Sequence, residues 1–64
     1  MSVYDGTTLA VLGLLVLGPS TVEEIAERLG VEVDDAGRSL STLIAAERVV
    51  LVGAASRRYA LVVR

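Results

Sequence analysis

The spacing of apolar residues along the chain changes character twice, and each change marks a new element. A first helix runs through Leu9, Val11, Leu12, Leu15 and Val16, with Asp5 or Thr7 placed to cap it. Gly18-Pro19 stops that helix, because proline lacks a donor and restricts the residue before it. Val22, Ile25, Ala26 and Leu29 then recur at helical spacing, with Glu23, Glu24, Glu27 and Arg28 on the opposite face. Ser20 and Thr21 each have a glutamate three places later, the pattern of a capping box, and Gly30 ends this second helix. After a four-residue connection, Asp34 is the expected N-cap of a third helix whose buried stripe is Ala36, Leu40, Leu43 and Ile44. From Val49 the pattern becomes strand-like. Val49 to Val52 and Tyr59 to Val63 flank the turn Gly53-Ala54-Ala55-Ser56-Arg57, which predicts a hairpin. The expected fold class is α+β, mainly α: one domain over 1–64, with three helices closed by a C-terminal two-stranded β-hairpin.

Composition narrows the chemistry. A chain of 64 residues holds one domain and one core. Cysteine and histidine are absent, which removes disulfides, thiolate or imidazole metal sites and the usual nucleophile–base pairs. Phe and Trp are absent too, so the core must be built from Leu, Val, Ile and Ala, and stacking on bases is limited to Tyr4 and Tyr59. No phosphate-binding glycine loop follows a strand, and the carboxylates lie on helix surfaces, so neither an enzyme nor a cofactor is expected. The apolar run Leu9 to Leu17 is about half of what a bilayer crossing needs and lacks a basic flank, so no membrane partner is expected and the protein is placed in the cytoplasm. All basic residues are arginine and Ala, Val and Gly are abundant, which suggests a GC-rich bacterial or phage genome.

A helix, a Gly-Pro break, the run Thr21-Val-Glu-Glu-Ile-Ala-Glu-Arg-Leu-Gly30, a third helix and a terminal hairpin together resemble the winged helix-turn-helix DNA-binding domains of IclR-type and MarR-type bacterial regulators. The resemblance covers nearly the whole chain. Ala26 matches the small residue that lets the third helix cross closely, and Arg58-Tyr59-Ala60-Leu61 resembles the return strand of an IclR-type wing. It implies a third helix in the major groove of double-stranded DNA and a wing on adjacent backbone. Two departures stand beside these matches. Asp34-Asp35 replaces the Ser-Thr pair with which such families commonly begin the recognition helix, and Gly37 replaces a bulky polar reading position. The effector-binding domain of those regulators is absent from this chain.

The candidate DNA contacts are Arg38, Ser39, Ser41 and Thr42 on the third helix, with Arg57 and Arg58, joined by Arg64, as the one basic cluster. Arg38 carries the fork suited to guanine or phosphate; the plainer reading pairs it with Asp34 or Asp35 at helical spacing. Leu14 and Leu17 point away from the core in the register that buries Leu12 and Leu15, and so predict a homodimer or partner contact through the first helix. Their alternative cover is the Val3-Tyr4 segment or the strands. The charge argues for a second class of function. The net charge is −2, and Thr21 to Arg48 holds seven acidic residues against three arginines. The alternative to a DNA-binding transcription regulator is therefore a winged-helix interaction module that binds a basic protein partner through its acidic face, or assembles through its apolar first helix.

Overall fold

The computed structural model describes residues 4–53 and 55–63, so Val3, Ala54 and Arg64 lie outside the described residues. Three helices, α1 (Gly6–Leu15), α2 (Val22–Leu29) and α3 (Val33–Ala45), are followed by strands β1 (Val49–Val52) and β2 (Arg58–Leu61). Asp5 is the residue that caps α1, accepting from the Thr8 N–H at 2.8 Å. Thr21 rather than Ser20 caps α2. Its hydroxyl accepts from the Glu24 N–H at 3.1 Å while the Glu24 carboxylate accepts from the Thr21 N–H at 2.9 Å, the reciprocal pairing of a capping box.

α3 starts before the residue expected to cap it. Gly30 adopts φ 68°, in the left-handed region that favours glycine, and the Val31 N–H returns to the Ala26 carbonyl at 3.1 Å. That reversal leaves only positions 30–32 between the helices. Glu32 takes the N-cap position without a side-chain cap bond, and Asp34 sits inside the first turn. Its carboxylate still faces the positive end of the helix dipole, which is why an acidic residue is tolerated there.

The hairpin pairs Val49 with Leu61, Val50 with Ala60, Leu51 with Tyr59 and Val52 with Arg58. On the other side of β2, Ser20 forms a bridge with Tyr59: the Ser20 N–H donates to the Tyr59 carbonyl at 3.0 Å and the Tyr59 N–H to the Ser20 carbonyl at 2.8 Å. The α1–α2 connection is thus stitched into the sheet, giving the spatial order Ser20, β2, β1.

Val11, Leu15, Ile25, Ala26, Ala36, Leu40, Leu43 and Val49 form the core, aliphatic throughout as composition requires. Ile44, expected in the buried stripe of α3, is exposed, and so are Leu9 and Val16 on or just beyond α1. α1 is packed by α2, α3 and β2 around Thr8, Val11 and Leu15, so Leu9 and Val16 fall outside the covered arc. In α3 the stripe runs through Ala36, Ser39, Leu40 and Leu43, and Ile44 lies one position past it. Among the described residues, no helix is long and apolar enough to cross a membrane.

Candidate nucleic-acid interface

α3 presents its outer face through Arg38, Ser41 and Thr42, all exposed. Where this face meets the start of α2 and the sheet, Val22, Val33, Asp34, Gly37, Arg38, Ser41 and Tyr59 line one open depression. Gly37, with no side chain, leaves the depression open beside Arg38. Asp34 is the only carboxylate among these lining residues and Arg38 the only cation, so the surface is electrically balanced. The Arg38 guanidinium bonds the Asp35 carboxylate one helical turn back. An exposed pair of this kind is worth at most about 1 kcal/mol and exchanges readily for a phosphate. The Thr42 hydroxyl donates to the Arg38 carbonyl at 3.1 Å, which leaves its oxygen as an acceptor. Among the described residues Ser41 has no such internal bond.

Ser39 does not belong to this face. It is 5% exposed, and its hydroxyl accepts from the Thr8 hydroxyl at 3.0 Å across the α1–α3 contact. The spacing Ala36, Ser39, Leu40, Leu43 was the available signal, since a small hydroxyl residue can occupy a core stripe when a second hydroxyl meets it.

The two wing arginines play different parts. Arg58 turns back onto the body of the domain, donating to the Glu24 carboxylate at 3.1 Å and towards the Pro19 carbonyl at 3.4 Å. The Thr21 N–H, and to a smaller degree Arg58, hold the Glu24 carboxyl below the usual range against a desolvation that raises it. The Asp5 carboxyl is lowered as well, first by the Thr8 N–H and least by Arg38. Arg57, at φ 49° in the turn, is exposed, and no carboxylate pairs with it among the described residues.

The negative charge collects elsewhere. Glu23, Glu27 and Glu32 line a separate depression around the α2–α3 turn, whose rim they share with Asp35, the partner of Arg38. Helix α2 therefore turns its outer glutamates away from the Arg38–Ser41 face, a segregation that the summed charge of the segment hides.

Leu14 and Leu17 also separate. Leu14 is half-buried against the core, contrary to the outward direction expected of it, because α1 is packed on several sides. Leu17, just beyond the helix, is 79% exposed.

Three helices in this order, closed by a hairpin whose inner strand pairs with the α1–α2 connection, make this a winged helix-turn-helix. No protein-family model, curated protein or solved structure matches the chain.

Proposed function

We propose that this chain is a small DNA-binding regulator that lays α3 in the major groove of double-stranded DNA, with Arg38, Ser41 and Thr42 towards the base edges and the wing arginines on the backbone. The observation that carries this reading is the segregation of charge. The depression holding Arg38 and Ser41 has Asp34 as its one lining carboxylate, with Asp35 paired to Arg38 beside it, whereas Glu23, Glu27 and Glu32 gather in a separate depression around the helix-turn-helix turn. Arg57 is available to phosphate as it stands. Arg38 and Arg58 become available by releasing exposed partners at little cost. The resemblance to IclR-type and MarR-type domains supports the same docking, with Ser39 withdrawn from the contact set because it is buried.

The test is a titration against mixed genomic duplex DNA at low and near-physiological salt. Binding that weakens with salt, with Arg38→Glu and Arg57→Glu each weakening it about tenfold or more, supports the reading; loss of one phosphate contact should also lower the salt slope by about one. Absence of binding at low salt by a folded sample overturns it. The acidic depression favours a second reading, capture of an Arg- or Lys-rich protein segment. Glu27→Lys separates the two, since it would abolish binding of a basic peptide and leave or strengthen binding of DNA.

A further inference from the structure

Strand β1 has an open edge with unusual freedom to pair. Tyr59 uses both its N–H and its carbonyl on Ser20, so Tyr59 and Leu51 form a non-hydrogen-bonded pair within the hairpin. By the alternation of an antiparallel ladder, the bonds between β1 and β2 run through Val50–Ala60 and Val52–Arg58, in phase with the Val62 N–H on the Arg48 carbonyl at 2.9 Å. Leu51 therefore directs its own N–H and carbonyl away from β2, and among the described residues nothing bonds them. The side chains beside this edge are apolar on both faces of the sheet: Val50, Leu51 and Val52 are 44%, 47% and 37% exposed.

Natural edge strands are normally guarded by lysine, proline, a bulge or a covering element. Val49–Val52 contains no charge, no proline and no bulge. Its exposed part, Val50-Leu51-Val52, also reads the same in both directions. A twofold axis through Leu51 would set Leu51 against Leu51 of a second copy, with their free N–H and carbonyl groups exchanging two bonds. It would also set Val50 against Val52 on either side. Four valines would then cluster on one face and two leucines on the other. The two Arg48 side chains would lie at opposite ends of the paired segment. Arg58 lies on β2, on the far side of β1 from the paired edge, and turns back towards Glu24. α1 also exposes Leu9 and leads into exposed Val16 and Leu17, but it offers no unpaired backbone to fix a register.

We infer that β1 is the self-association surface of this protein, pairing antiparallel with β1 of a second copy to extend the sheet across a twofold axis. The inference uses no DNA contact and stands or falls independently of the proposed function. So short an edge buries less than the roughly 1,200 Å² of a standard interface, so the dimer forms in a concentration-dependent way.

Sedimentation of the whole chain from about 1 μM to about 1 mM should show the mass rising from 6.7 kDa towards twice that value. On the same wild-type protein, hydrogen exchange at the Leu51 amide should slow about tenfold across that range, while exchange at the exposed α1 end stays constant. Leu51→Lys should weaken dimerisation about tenfold or more, and Leu17→Lys should not. A mass and a Leu51 exchange rate independent of concentration would overturn the inference. So would a dimer that Leu17→Lys dissociates and Leu51→Lys spares. The exchange measurement decides the question even if a Leu51 variant fails to fold.

Discussion

Thr8 and Ser39 trade water for each other where α1 crosses α3. A buried hydroxyl keeps its place only while a partner satisfies it, and leaving one unpaired costs about 1–3 kcal/mol. Ser39→Ala is therefore expected to lower the thermal midpoint by roughly 4–8 °C per kcal/mol in a domain of this size. Adding Thr8→Val should recover at least half of the loss, because removing both hydroxyls leaves neither unsatisfied. An Ser39→Ala variant of unchanged stability but weakened DNA binding would return Ser39 to the recognition face. The same contrast separates Arg57 from Arg58. They are neighbours in sequence, but one is unpaired at the turn and the other is tied to α2.

At the scale of elements, short-range chemistry fixes the helix starts. The Asp5 cap and the Thr21–Glu24 box each close within three residues, which is why both were legible in the pattern of hydroxyls and acids. Both carboxyls titrate below their ordinary values of 3.8 and 4.5 in the folded chain. A carboxyl lowered by folding adds stability that is present above its unfolded value and is lost as pH falls through its folded value. The thermal midpoint is expected to hold steady near neutral pH and to fall once pH drops below about 4.5. Asp5→Asn and Glu24→Gln keep acceptors at both positions and should flatten the acid limb; an unchanged acid limb in the double variant would assign the loss to other groups. The start of α3 was misplaced for a related reason. Asp34 is a good cap by residue type, but the chain reversal at Gly30–Val31 decides where helix can resume.

At the scale of the molecule, an aliphatic core of eight of the described residues has to hold the domain. Stability of about 0.05–0.15 kcal/mol per residue amounts to roughly 3–10 kcal/mol for a chain this size, whereas truncating a buried leucine costs about 2–5 kcal/mol. Leu40→Ala is therefore expected to unfold a large fraction of the protein at 37 °C, read by circular dichroism, whereas Ile44→Ala at an exposed site should change stability little. Near-equal effects of the two would contradict the packing of α3. The same economy shapes the surface. So few residues cannot cover every apolar position, and β1 is left with an uncovered edge.

The sequence by itself determined the elements and their order. Helical period, caps, glycine stops and the switch to strand-forming residues all act over a few positions, and the three helices and hairpin follow from them. It also determined that the core is aliphatic and that the chain is acidic overall. Only the tertiary structure decided which face each element shows. Ser20 pairs with Tyr59, Ser39 with Thr8 and Glu24 with Arg58 across more than thirty residues of chain. Leu14 turns inward because several elements surround α1. Such contacts depend on how helices cross and strands align, and no local period encodes them. The physical reason is that burial and charge segregation are properties of packed surfaces, fixed only when distant residues meet.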